Sequence, residues 1–220
     1  WADGSNKQLA SAPESTAAAS ILFTTAEAPL DFVNNSSGAW FITANGDVHL
    51  KTVDADVVKE SANNPFAITS LNDVAYWSQS GAANIRSSTG TNVGTLASGE
   101  NDCQSITATK TGIYWAKVLE GEIRGKVPNG AGPITVANNQ TGPFSVTGEP
   151  TGEDLYWLTI SGELRTKTTT QSATDPPRTI TSGLHQVAQD QSARVWAYAK
   201  NIALTPTHVY FVSWADHTVL

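Results

Sequence analysis

The stretch Gly112-Ile113-Tyr114-Trp115-Ala116-Lys117 returns in altered form at residues 74–79 (VAYWSQ), 154–159 (DLYWLT) and 208–213 (HVYFVS). Internal repetition constrains architecture more than any other feature here, because one copy cannot bury its apolar face alone and must stack on the next. Aligned on the second aromatic, the copies fall at Phe41, Trp77, Trp115, Trp157 and Phe211, in steps of 36, 38, 42 and 54 residues. Trp1 stands 40 residues before Phe41 and reads as the remnant of a further copy.

The flanks repeat too. Nine residues before four of the anchors stand Phe32, Ile68, Ile106 and Ile202, and Val146 stands eleven before Trp157. Three residues further upstream come Pro29, Pro65, Cys103 and Pro143. Eight or nine residues after the anchors come His49, Arg86, Arg124 and Arg165, followed by runs such as Asp56–Glu60 and Arg178–Ser182, each about a strand long. Every unit thus reads as four short β-runs separated by Gly, Asn, Asp and Pro turns. In Asn84-Ile85-Arg86 and Glu122-Ile123-Arg124 the apolar residue and its arginine are neighbours, so they point to opposite faces of a sheet. A four-stranded unit of about 40 residues, repeated, is a β-propeller blade.

The proline-led apolar strand, the Tyr-Trp pair and the following Ile-Arg of Asn84-Ile85-Arg86 and Gly121-Glu122-Ile123-Arg124 resemble the YWTD propeller repeats of low-density-lipoprotein-type receptors and the related repeats of secreted bacterial proteins of unknown role. The resemblance covers most of residues 29–220 and implies an all-β propeller of four-stranded blades. Ser78-Gln79, Ala116-Lys117 and Leu158-Thr159 stand where Thr-Asp follows the aromatic pair in that family, so no function is carried over with the fold. Residues 29–184 supply four full copies, the remainder a fifth without its outer strand, and residues 1–28 strands of another. Six blade positions are expected, with five as the alternative, and the terminal blades incomplete. Residues 1–220 read as one propeller domain, and a chain with no methionine is expected to be the ordered or processed part of a longer product.

The charge balance excludes some functions. A net charge of -7, with 13 scattered Lys and Arg, argues against a nucleic-acid groove, which needs clustered cations to neutralise phosphates. No apolar run reaches the about 18 residues of a membrane-spanning helix. The single cysteine, Cys103, excludes an internal disulfide and reads as a small buried residue at strand entry rather than a nucleophile. Abundant Thr, Ser and Asn with few charges is the composition of a secreted, periplasmic or cell-surface β-protein.

Catalytic motifs are absent from the sequence: it has no H-E-x-x-H, G-x-S-x-G, Walker or G-x-G-x-x-G pattern. His49, His185, His208 and His217 are too dispersed to mark a metal centre, so neither catalytic nor metal residues are assigned. Asp54 and Asp56 form a carboxylate pair that calcium would suit, yet without the spacing of a calcium loop, and the plain alternative is a solvated turn. No cofactor is expected. The ligand-binding candidates are Arg86, Arg124 and Arg165, which occupy equivalent places in three blades and could engage carboxylates or sulfated sugars through bidentate hydrogen bonds. Their alternative role is a wet strand face neutralised by Glu122 and Glu163. Trp196 and Tyr198 lie in an insertion of about 15 residues and offer either an aromatic platform on one rim or packing between blades.

The expected function is a non-enzymatic propeller that binds a protein or glycan partner on one rim. One alternative is a propeller enzyme of lyase or lactonase type with an axial metal-dependent site. The other is a structural subunit that forms homo-oligomers by strand exchange.

Overall fold

The protein is described from a computed structural model, over residues 2–3, 6–11, 20–61, 64–149, 151–184, 202–205, 208–213 and 218–219. Among these residues every regular element is a strand. In chain order they are β1 (Ala2–Asp3), β2 (Gln8–Ser11), β3 (Ser20–Thr24), β4 (Pro29–Asn35), β5 (Gly38–Thr43), β6 (Val48–Lys51) and β7 (Asp56–Glu60). Next come β8 (Pro65–Leu71), β9 (Val74–Gln79), β10 (Asn84–Ser88), β11 (Val93–Ser98), β12 (Cys103–Ala108), β13 (Ile113–Lys117), β14 (Glu122–Lys126) and β15 (Ile134–Ala137). The chain ends with β16 (Pro143–Gly148), β17 (Asp154–Thr159), β18 (Leu164–Thr168), β19 (Arg178–Thr181), β20 (Ile202–Leu204), β21 (Val209–Ser213) and β22 (Thr218–Val219).

These strands form four antiparallel four-stranded meanders, β4–β7, β8–β11, β12–β15 and β16–β19, flanked by three-stranded sheets β1–β3 and β20–β22. The six sheets are the blades of an all-β propeller. The register matches the sequence repeat position for position: Phe32 lies opposite Phe41, Ile68 opposite Trp77, Ile106 opposite Trp115, Val146 opposite Trp157 and Ile202 opposite Phe211.

Two β-bulges recur in each complete blade. The first follows the strand-entry residue, between Pro29 and Asp31, Pro65 and Ile68, Cys103 and Ser105, and Pro143 and Ser145. Proline is tolerated there because a bulge or first strand residue does not need its missing N–H. The residue just past this bulge reaches the next inner strand: Asp31 Oδ2 accepts the Ile68 N–H and Ser105 Oγ accepts the Val146 N–H, each at 3.0 Å. The second bulge falls between the third and fourth strands, immediately before His49, Arg86, Arg124 and Arg165. It recurs between Leu9 and Ala10, which identifies β1–β3 as the second, third and fourth strands of a blade whose first strand is not among them.

The inner strands of every complete blade are buried on both faces, and this explains the Tyr-Trp pair. Adjacent residues on a strand point to opposite faces. Tyr76 therefore packs forward with Ile85 and Leu96 against Ile106, Ile113 and Trp115 of the next blade. Tyr114 and Ile123 pack forward against Val146, Leu155 and Trp157. In the first complete blade Trp40 takes the tyrosine position and stacks on Trp77 with ring centroids 6.0 Å apart. The first aromatic of each pair thus serves the following interface and the second the preceding one.

The third strand crosses the aromatic strand closely enough to require glycine at one place. A Cβ on Gly125 would lie 2.1 Å from the Tyr114 ring, whereas on Gly94 it would meet nothing nearer than 3.6 Å. Gly125→Ala is therefore expected to destabilise the protein by about 1–3 kcal/mol through overpacking, while Gly94→Ala is expected to leave the urea midpoint unchanged or raised. Equal midpoints for the two variants would contradict this account of the interface.

Candidate functional site

Polar side chains gather at one repeated place, where the outer strand of a blade hands over to the next. The handover residue is fixed by its backbone: Glu100 N–H donates to Ala83 O (2.8 Å) and Gln140 N–H to Gly121 O (2.9 Å), the turn residues themselves having φ of 52° and 67°. So latched, the side chain points into the next interface. Trp77 Nε1 donates to Glu60 Oε2 (2.9 Å), Trp115 Nε1 to Glu100 Oε2 (2.9 Å) and Trp157 Nε1 to Gln140 Oε1 (3.2 Å).

The three sequence-predicted arginines converge on the same acceptors. Arg86 Nε donates to Glu60 Oε1 (3.0 Å) and its terminal nitrogen lies 2.9 Å from that oxygen. Arg124 lies 3.6 Å from Glu100 and 3.9 Å from Glu122, and Arg165 donates to Gln140 (2.8 Å) and Glu163 (2.7 Å). Their side chains are 19%, 24% and 21% exposed. Each arginine is thus a fixed part of the wall between two blades. The handover acceptors Glu60, Glu100 and Gln140 were not among the sequence candidates, although they stand at intervals of 40 residues. Trp196 and Tyr198 lie outside the described residues.

In the first complete blade this arrangement changes. Thr25 occupies the handover position, its N–H donating to Lys7 O (2.8 Å), and Phe41 and His49 replace the tryptophan and arginine. The two rings stack with centroids 4.8 Å apart. His49 Nδ1 lies 2.9 Å from Asp56 Oδ1, so the Asp54/Asp56 pair is split, with Asp56 turned onto the imidazole. Asp47 precedes β6 as Glu122 and Glu163 align with the start of the third strand in their blades, and Glu27 enters from the link between β3 and β4. One ligating atom from each of Glu27, Asp47 and His49 lies within 4.8 Å of the other two. Glu27 Oε2 and His49 Nε2 are buried and have no hydrogen-bond partner among the described residues.

Two other features complete the inventory. Cys103 is fully buried, and burial pushes its thiol well above the ordinary range. A cavity of about 210 Å³ lies beside the fourth complete blade, lined by Tyr156, Thr166, Lys167 and Arg178 among others. Burial lowers the Lys167 pKa, and its ammonium is held by the carbonyls of Ser172 (2.7 Å) and Asp175 (2.6 Å).

The handover geometry sets a ranking of variants. Glu100→Ala strips an acceptor from Trp115 and an anion from Arg124, and is expected to cost about 3 kcal/mol as a broken buried pair. Glu100→Gln recreates the amide that Gln140 already supplies one blade later and is expected to cost about 1 kcal/mol; denaturant titration of the two variants orders them. Cys103 is expected to resist a thiol-specific disulfide reagent in the native protein and to react once denaturant unfolds it, because only the exposed thiolate attacks.

No protein-family model matches the sequence, nor does any curated protein. Among solved structures, the chain is similar to one from a nidogen/laminin complex (TM-score 0.69, 14% identity, covering 91% of this chain and 78% of that chain). It is also similar to a streptogramin B lyase (TM-score 0.67, 14% identity, 99% and 76%) and to YCF48 bound to a D1 peptide (TM-score 0.59, 11% identity, 90% and 65%). At such identities the likeness is one of fold, and the fold is the β-propeller.

Proposed function

We propose that this chain is a binding propeller that docks a protein partner along the open edge of its first complete sheet. The observation that carries the reading is the exposure of three valines there: Val53, in the turn between β6 and β7, is 88% exposed, and Val57 and Val58 on β7 are 41% and 47% exposed. β7 is the outer strand of its sheet, so one row of its backbone N–H and C=O groups has no ladder partner within that sheet. Natural edges are guarded by charge, especially lysine. Here Lys59 is turned away onto Gly90 O at 2.7 Å, which leaves Val57 and Val58 without a lysine guarding them. An extended peptide can add a strand to such an edge, with backbone hydrogen bonds giving affinity and side-chain contacts giving selectivity.

Two of the structural neighbours support this reading, since one comes from a nidogen/laminin complex and the other, YCF48, is bound to a D1 peptide. The lyase neighbour shares the fold, and its chemistry is not carried across at 14% identity. In this reading residues 1–220 serve as one propeller domain, the repeats are of the YWTD-like type, and the Thr-, Ser- and Asn-rich surface belongs to a secreted or cell-surface setting.

The test compares the immobilised native chain with a Val57→Glu, Val58→Glu double variant, after matching their thermal unfolding. The expected result is a protein retained in stoichiometric amount by the native chain and released by the variant. Equal retention by both, or none by either, overturns the assignment of this edge.

A further inference from the structure

Every handover between complete blades places a carboxylate or amide against a fixed cation. Glu60 meets Arg86, Glu100 meets Arg124 with Lys117 at 4.0 Å, and Gln140 with Glu163 meets Arg165. The entry to the first complete blade breaks this rule. It brings Glu27 and Asp47 to His49, backed by Asp56, and among the described residues no lysine or arginine pairs with any of them. Lys7, on the facing turn, donates instead to the Ala26 carbonyl at 3.1 Å. A buried carboxylate oxygen without a donor or a cation costs several kcal/mol unless something neutralises it. His49 has the same deficit, for it is 5% exposed and its Nε2 has no partner.

We propose that Glu27, Asp47 and His49 bind a divalent transition-metal ion of the zinc type, which takes the place that the arginine holds in the later blades. One imidazole nitrogen and two carboxylate oxygens suit zinc, whereas calcium and magnesium favour sets made of oxygen alone. Asp56 does what an outer carboxylate does in such sites: by engaging Nδ1 it sets the ring orientation and leaves Nε2 to the metal. The stacked Phe41 ring holds the imidazole from the side. Ligand atoms around a tetrahedral zinc stand about 3.4 Å apart. The three atoms lie within 4.8 Å of one another, and Glu27 and Asp47 are half-buried, in the β3–β4 link and just before β6. Three protein ligands leave one coordination position for water or for an anionic group of a partner.

The experiment is zinc titration of the chelator-stripped 220-residue chain, followed calorimetrically and against a chromophoric zinc indicator. His185, His208 and His217 are replaced by alanine in one background, so that uptake elsewhere is excluded. The expected result is one equivalent bound in both backgrounds and a raised thermal midpoint. Glu27→Gln and Asp47→Asn should each weaken binding at least as much as loss of an outer partner, about 10-fold or more, and Asp56→Asn by about 10- to 100-fold. Glu27→Gln and Asp47→Asn keep size and polarity, so they remain informative if His49→Gln fails to fold. Uptake that disappears with the three other histidines overturns the proposal. So does uptake indifferent to Glu27→Gln and Asp47→Asn, or absence of uptake.

Discussion

The fold rests on a constraint peculiar to stacked sheets: the inner strands of each complete blade are buried on both faces, so neighbouring residues on one strand must satisfy two different interfaces. Tyr114 and Trp115 are one peptide bond apart, yet the first packs on Val146 and Leu155 ahead while the second packs on Ile85 and Tyr76 behind. Burying a ring the size of tryptophan contributes strongly, since deletion of such a core side chain costs about 3–5 kcal/mol. It also buries an indole N–H that needs an acceptor. The handover residue supplies it, and because Glu60 and Glu100 are charged, the arginine follows as a further requirement. Tryptophan, acceptor and arginine are therefore one device repeated, and loss of any member changes what the others must do.

The bulges set the aim of that device. A bulge just before Arg86, Arg124 and Arg165 adds local twist to the third strand, and the arginine beyond it meets the acceptor of the preceding blade. The bulge at strand entry has the same logic at the inner end, where Asp31 and Ser105 accept backbone N–H groups of the following inner strand. Cys103 stands at this bulge in place of proline, small enough to be fully enclosed. Apolar stacking thus brings the blades together, while these few directional contacts set their relative rotation.

Much of this was legible in the linear sequence because strands alternate with period two and blades repeat at about forty residues. Proline, aromatic pair and arginine each mark a fixed register position, and the observed pairing of Ile68, Trp77 and Arg86 follows them directly. The acceptors Glu60, Glu100 and Gln140 were harder to recognise, although their spacing is regular. They lie at the end of the outer strand or just past it and act on the blade that follows, so an alignment that cuts the chain into blades separates them from the residues they serve. The grouping of Glu27, Asp47 and His49 was hidden for another reason. It joins a blade link, a turn and a strand: the repeat places His49 at the arginine position, but only the folded chain brings Glu27 and Asp47 to it.

The same reasoning says where specialisation fits in a repeat protein. A residue that recurs in every blade is held by the requirements of stacking, as the arginines are by Glu60, Glu100 and Gln140. A departure from the repeat releases its former partners from that duty while the surrounding sheets keep them in place. At the first complete blade the handover acceptor, tryptophan and arginine have given way to Thr25, Phe41 and His49, while Asp47 stays at the start of the third strand, where Glu122 and Glu163 stand in their blades, and Glu27 joins it from the blade link. These carboxylates are half-buried, and one oxygen of Glu27 is buried without a donor. Left without a counter-charge they would lower stability with no structural return, and a bound cation would offset that cost.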